Sequence, residues 1–385
     1  WHVEHRMADP IGTVCGRESP DAIRFVRCDL CGLSEAADLF AHEDACIPNE
    51  GLSFRVVECR GCGLIYQTPR PQGSGLAALY PQEYHDTLQR EGRVRRRSGS
   101  LGKRIRRSLL EQFYQYPIRG GRSGAATNSL LRRARAAFLQ LERWRLRMGG
   151  REATIIPFVG TGRLLDVGCG TGKDLDAFKE MGWDITGVEV SAYAASVARQ
   201  WLGCEILVGD FEEVPLGDEG FDVVRFSHSL EHLPSPRRAL EKAYRVLRAG
   251  GLLWIEVPNA ASLERRLFGK HWIGWDVPRH FYHFTPRTLA RMLACTGFRP
   301  VKVKCDARML FFTESVANVV AHRFGVRPRR TKLLSALARP VVYALGAMNR
   351  GAVLTVHADK VVASRTCSSG SGSRCDREGL PDERG

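Results

Sequence analysis

Arg163-Leu164-Leu165-Asp166-Val167-Gly168-Cys169-Gly170-Thr171-Gly172 is the stretch that decides the fold. It reads as a buried strand that turns sharply on three glycines into a helix. Glycine suits such a turn because a side chain would keep a ligand off the backbone, and because the turn often needs positive φ. Asp166 falls at the strand's carboxyl end, where open α/β sheets bind ligands. Glu189 ends the next apolar run, 17 residues after Gly172. It is placed to take two ribose hydroxyls on its two carboxylate oxygens.

A glycine turn followed by an acid occurs in more than one nucleotide site, so spacing has to separate them. Dinucleotide sites use G-x-G-x-x-G, with a helix N-terminus on the pyrophosphate. Here the glycines run G-x-G-x-G, and Lys173 stands where the third dinucleotide glycine would be. Preceded by Leu-Leu-Asp-Val, the stretch resembles the first motif of class I S-adenosylmethionine-dependent methyltransferases. The following segments resemble the same family in order. Asp184–Val190 resembles its second strand, Glu205–Phe211 its third, and Phe221–Leu233 its fourth with the loop that closes over the cofactor. Arg248–Pro258 resembles the turn into strand five, and Thr285–Phe298 the helix before strand six. A dehydrogenase, the main enzyme competitor, is disfavoured by the glycine spacing and by the Gly209-Asp210-Phe211 segment.

The resemblance covers about half the chain, residues 150 to 310, with a last strand expected at 351 to 360. It implies an α/β fold: a Rossmann-like, seven-stranded, doubly wound sheet. It also implies S-adenosylmethionine as cofactor, held by Asp166, Gly168, Gly170, Gly172, Glu189, Asp210, Phe211 and Ser227. In that reading Asp210 accepts from the adenine amino group and Phe211 lies against the ring.

Twelve cysteines are unevenly placed. Cys28/Cys31 and Cys59/Cys62 form two C-x-x-C pairs, each followed by glycine, whereas Cys15 and Cys46 have no such spacing. Paired thiolates in a chain whose N-terminal residues lack the apolar core of a secretory signal read as a metal site. Two knuckles supply four sulfurs to a tetrahedral zinc at ~2.3 Å, leaving no open position, so the zinc would be structural. With Leu64 to Pro71 following, the layout resembles the N-terminal zinc-ribbon-like module of bacterial glycan and natural-product methyltransferases.

The formal charge of +15 is concentrated. Residues 93 to 150 carry sixteen Lys/Arg against Glu111 and Glu142, an excess of fourteen. Leu109, Leu110, Phe113 and Tyr114 recur at helical intervals, as do Leu130, Leu131, Ala134, Phe138, Leu141 and Trp144. Pro117 and the Gly120, Gly121 and Gly124 cluster split the segment into two helices. The expected role is packing on the enzyme domain, with attraction to an anionic membrane surface or anionic substrate next. RNA is disfavoured but stays open, since basic helices track phosphates. Leu333 to Met348 is an apolar helical stretch interrupted by Pro340, too short to span a bilayer. The expected organisation is a zinc-ribbon-like module at 22–70, a basic helical insert at 71–150 and a methyltransferase core at 151–310. C-terminal helices and a last strand follow at 311–363, with a disordered tail at 364–385. The default location is the cytoplasm, with peripheral membrane contact as a secondary expectation.

Methyl transfer from a sulfonium is an in-line displacement, so the protein must align donor and acceptor and remove the acceptor's proton. His228 and His232, after strand four, and His280 and His283, in Pro278-Arg279-His280-Phe281-Tyr282-His283, are the candidate catalytic bases. Trp272, Trp275, Phe281 and Tyr282 cluster around the latter pair, either to stack on a sugar or conjugated ring or to pack the loop. The expected acceptor is a sugar, glycan precursor or small natural product, methylated at oxygen or carbon. An RNA methyltransferase and a non-catalytic binding protein retaining the fold are the alternatives.

Overall fold

In the computed structural model, the described residues are 23–42, 54–71, 79, 100–117, 129–148, 152–328 and 332–361. The expected tail at 364–385, Cys15, Cys46 and much of the basic insert lie outside them. The glycine stretch opens on β6 (Arg163–Val167), whose Leu164 and Leu165 are fully buried. Parallel to it run β7 (Asp184–Glu189), β8 (Glu205–Val208), β9 (Phe221–Ser227) and β10 (Leu247–Pro258). β13 (Val353–Lys360) inserts antiparallel between β10 and β12 (Phe298–Asp306). The seven-stranded order is β12-β13-β10-β9-β6-β7-β8. Strand order reverses between β6 and β9, which makes their carboxyl ends the crevice where such sheets bind ligands.

Helices α3 (Leu175–Glu180), α4 (Ala192–Leu202), α5 (Pro236–Val246) and α7 (Pro286–Cys295) connect and flank these strands. Their starts are written in the sequence. Ser191 accepts from the Ala194 N–H, Ser235 precedes Pro236 at the first position of α5, and Thr285 with Thr288 closes a capping box on α7.

A second, four-stranded sheet has the order β11-β4-β3-β2. β2 (Ala36–His42), β3 (Phe54–Cys59) and β4 (Ile65–Gln67) belong to the cysteine module; a two-stranded ladder joins β1 (Ile23–Arg24) to β5 (Arg70–Pro71). β11 (Tyr282–His283) comes from the enzyme part of the chain and pairs antiparallel with β4. One apolar cluster joins the two parts: Leu30, Val57, Leu64 and Tyr66 pack with Phe281, Tyr282, Leu289 and Met292. The module is thus bonded through a sheet edge and a shared core.

The basic insert contributes α1 (Ser100–Phe113) and α2 (Ser129–Met148). α1 packs as its pattern predicts: Leu110, Tyr114 and the following Tyr116 are buried against Ile156, Leu164 and Trp183. α2 corrects the expectation. It is Leu139 that is buried, whereas Phe138, Leu141 and Trp144 are 44%, 52% and 57% exposed. α2 is held by Arg143, which bonds Glu152 at 3.1 Å and lies over the Phe113 ring.

Three further helices are α6 (Leu263–Phe268), α8 (Met309–Phe324) and α9 (Lys332–Ala347), the last with Pro340 inside it. No described helix is long and apolar enough to cross a membrane. Glu264 in α6 is fully buried, and neither carboxylate oxygen has a hydrogen-bond partner among the described residues. Burial pushes its pKa up to about 8. The native state therefore holds the protonated acid. Its contribution is intact below the ordinary carboxylate value and is lost as pH rises through about 8. Between pH 6 and 9 the wild type should lose on the order of 2 kcal/mol that Glu264→Gln retains. Denaturant titrations at both pH values check this; parallel losses in the two proteins would refute it.

Candidate functional site

The three glycines of the turn all have positive φ, at +73°, +54° and +74°, but for different reasons. A Cβ on Gly168 would meet Ser229 at 2.6 Å, and one on Gly172 would meet Leu202 of α4 at 2.5 Å. Those two permit close packing. A Cβ on Gly170 would meet nothing within 4 Å, so its bare backbone faces open space, as a cofactor cradle requires. Glu189 reaches this turn from β7. One carboxylate oxygen accepts from the Gly170 N–H at 2.8 Å and the other from the Ser191 N–H at 2.9 Å. Burial raises its pKa, against the pull of the two N–H groups. Each oxygen keeps a further lone pair for an external hydroxyl. The residues fit a ribose-bearing cofactor.

Asp166 is buried and takes a 2.7 Å ion pair from Arg225 in β9. Asp174 stands 3.7 Å from the same guanidinium, which lies over Phe178 and Trp254. Burial raises the Asp166 pKa and Arg225 opposes the shift. The sequence reading missed Arg225. Its signal was an arginine within the short, otherwise apolar Val223–Phe226 stretch, which has to find a counter-charge within the fold. Arg225→Leu should destabilise the protein by about 3–5 kcal/mol by stranding Asp166, with Asp166→Asn in the same chain recovering part of it. Thermal and denaturant unfolding of the two variants tests this; equal stability of Arg225→Leu and wild type would contradict it.

Asp210 is partly exposed, with one oxygen accepting from the Glu212 N–H at 2.8 Å. Phe211 is only 2% exposed and packs edge-on to Phe226 at 5.8 Å, inside the core. Ser227 is partly exposed at the carboxyl end of β9.

The four histidines are brought near one another, in unlike settings. His228 sits at φ +51°, a strained conformation for a non-glycine residue. Its ring nitrogens lie 3.4 Å from Glu231 and 3.4 Å from Glu256. Burial works against the charged ring, but the two neighbouring carboxylates hold its pKa up at about 10. The flanking acids thus favour an N–H donor over a general base at neutral pH. Glu256 also accepts from Arg308 at 2.6 Å. Burial, then neighbouring His280, push His232 down to about 4. His232 and His280 meet edge to face at 4.6 Å. His283 is 1% exposed against Trp275, and burial holds its pKa well below the ordinary value. Trp272, Trp275, Phe281 and Tyr282 are all at most 5% exposed, so they pack the loop and present no stacking face.

The four knuckle cysteines form a single cluster, every sulfur within 4.8 Å of the others. Cys28 lies 3.4 Å from Cys62, and Cys31 3.4 Å from Cys59. The two 3.4 Å spacings lie a few tenths of an ångström under the ~3.8 Å edge of a tetrahedron with ~2.3 Å zinc–sulfur bonds. In both knuckles the glycine is left-handed and donates back to the first cysteine's carbonyl, Gly32 to Cys28 at 2.8 Å and Gly63 to Cys59 at 2.9 Å. The donor set fits zinc.

The module also grips the loop after β9. Asp29, between Cys28 and Cys31, accepts from the Ser235 hydroxyl and the Arg237 N–H, both at 2.9 Å, at the start of α5. Arg70 donates to the Tyr282 hydroxyl at 2.8 Å and to the Pro234 carbonyl at 2.6 Å. Nothing in the sequence spacing disclosed these contacts, which span roughly 160 to 210 residues.

The sheet reversal at β6/β9, the bare glycine turn and the buried acid beside it mark the candidate cofactor site. The family described as "Methyltransferase domain" matches residues 131–303. A malonyl-[acyl-carrier protein] O-methyltransferase from Serratia marcescens is 35% identical over 138 residues, 36% of this chain and 53% of that protein. A ubiquinone biosynthesis O-methyltransferase from Thiobacillus denitrificans is 31% identical over 156 residues, 37% of this chain and 67% of that protein. The match spans about half the length of the first of these relatives. A solved S-adenosylmethionine-dependent methyltransferase from Archaeoglobus fulgidus is 25% identical, with 57% of this chain and 94% of that one covered at a TM-score of 0.39. The chain belongs to the S-adenosylmethionine-dependent methyltransferase family.

Proposed function

We propose that the protein transfers the methyl group of S-adenosylmethionine to a sugar, glycan precursor or small natural product. The observation that carries this reading is Glu189, buried with one N–H on each oxygen beside the open backbone of Gly170. In the bound state Glu189 would take the ribose hydroxyls and Asp210 the adenine amino group. Ser227 and the glycine turn would line the remainder. The cofactor supplies the activated methyl group. The protein aligns the acceptor and receives its proton, a task that falls to the histidine–carboxylate cluster after β9. Both named relatives are O-methyltransferases, which supports oxygen as the acceptor atom. The cysteine cluster would hold a structural zinc that braces the acceptor side of the site.

An anionic acceptor, or one carried at an anionic membrane surface, is favoured by the arginine-rich α2 with its exposed Phe138, Leu141 and Trp144. RNA is the second reading on the same basic charge. A mass-spectrometric screen for methyl transfer to nucleotide-sugars, lipid-linked glycans and RNA tests the proposal. Methylated RNA with no methylated small molecule would promote the second reading. No transfer despite S-adenosylmethionine binding would support a binding protein that retains the fold.

A further inference from the structure

We infer that Glu231, His232 and His280 form a second metal site, for a divalent transition-metal ion, separate from the four cysteines. One potential ligand atom from each lies within 4.8 Å of the other two. Two structural segments meet there: the turn after β9 carries Glu231 and His232, and the 276–283 loop carries His280. The Phe281 N–H donates to the Glu231 carbonyl at 2.8 Å and pins the segments together.

Glu231 makes the strongest case. It is 0% exposed, and neither carboxylate oxygen has a hydrogen-bond partner among the described residues. A buried carboxylate without donors is costly, and such a group calls for an explanation, an ion among them. A His228 ring nitrogen lies 3.4 Å from one oxygen. The imidazoles are oriented as ligands usually are. His232 Nδ1 lies 3.0 Å from the Arg279 carbonyl, and His280 Nδ1 lies 2.9 Å from the Gly274 carbonyl. A carbonyl on Nδ1 fixes the proton there and makes Nε2 the lone-pair nitrogen, the usual outer-shell arrangement for metal-bound histidine. Asp276 lies 3.6 Å from His280 Nε2 and adds a second carboxylate at the rim. It too is held at positive φ, +34°.

Two imidazoles with one carboxylate suit zinc, cobalt or manganese better than magnesium or calcium, which prefer all-oxygen sets. Ser229, on the same turn, is the residue a Cβ at Gly168 would strike, so the site lies beside the glycine turn. There the ion would bind an acceptor oxygen and make its proton easier to lose. That role rests on the methyl-transfer reading; occupancy of the site does not.

Cobalt titration of the metal-stripped, reduced full-length protein separates the two sites by their spectra. Two Co²⁺ per chain are expected, only one giving intense thiolate-to-cobalt charge transfer. Glu231→Gln and His280→Asn should each weaken the second Co²⁺ at least tenfold while leaving the thiolate band intact, and the intact band shows the ribbon is folded. A single Co²⁺ in the wild type, with thiolate bands alone, would overturn the site without need of any variant. So would a second Co²⁺ bound equally well by both variants. S-adenosylmethionine calorimetry on the same samples tests the methyl-transfer reading independently.

Discussion

Glu189→Ala should weaken S-adenosylmethionine binding by about 2–4 kcal/mol, roughly 30- to 1000-fold. Two losses combine. The ribose hydroxyls lose a charged acceptor, and the Gly170 N–H, which Glu189 holds at 2.8 Å, loses its partner and with it the set of the turn. Glutamine should not rescue, because its amide nitrogen would face one of two backbone donors, at Gly170 or Ser191. The fold should survive, since Gly168 and Gly172 owe their packing to Ser229 and Leu202 and not to Glu189. Calorimetry on wild type, Glu189→Ala and Glu189→Gln is the measurement. Unchanged affinity in the alanine variant, or tight NADH binding where S-adenosylmethionine does not bind, would defeat the assignment.

The sheet was legible because its determinants are local. A buried strand, a glycine turn and an acid at the next strand's end lie within about thirty residues, and each turn announces itself by glycine or a capping residue. The cysteine cluster was legible for the same reason, since C-x-x-C-G dictates a knuckle wherever it sits. Long-range pairings were not legible. Arg225 finds Asp166 across 59 residues, and Glu231 meets His280 where the Phe281 N–H bonds the Glu231 carbonyl. Helical periodicity likewise gave α2 an apolar stripe but not its partner. The stripe at Phe138, Leu141 and Trp144 faces outward, and Leu139, off that stripe, is what the fold buries. Histidines were recognisable as chemistry. Their division into a carboxylate-flanked ring, a carbonyl-anchored pair and an enclosed one depends on neighbours that no spacing rule supplies.

Loss of the knuckle metal should disable the acceptor side of the site and spare the cofactor side. Structural zinc contributes on the order of 10 kcal/mol to folding a small cysteine module, and here that module carries part of the enzyme. β4 pairs with β11, Asp29 holds the start of α5, and Arg70 ties Pro234 to Tyr282. The described hydrogen bonds of Glu189 and the Gly170 turn come from the turn itself, from β7 with Ser191 and from the Gly209 N–H after β8, none from the ribbon. Cys62→Ser should therefore lower zinc content by one equivalent and reduce methyl transfer at least a hundredfold, while S-adenosylmethionine affinity changes by only a few-fold. Hydrogen exchange gives a readout independent of activity: amides at Tyr282–His283 and Arg237–Ala239 should lose at least tenfold protection, and those of β6 and β7 should keep theirs. A freshly reduced wild type without zinc would remove the premise. If Cys62→Ser kept full protection at β11 and α5, the ribbon would be an appendage, and the cause of any lost activity would have to be sought elsewhere.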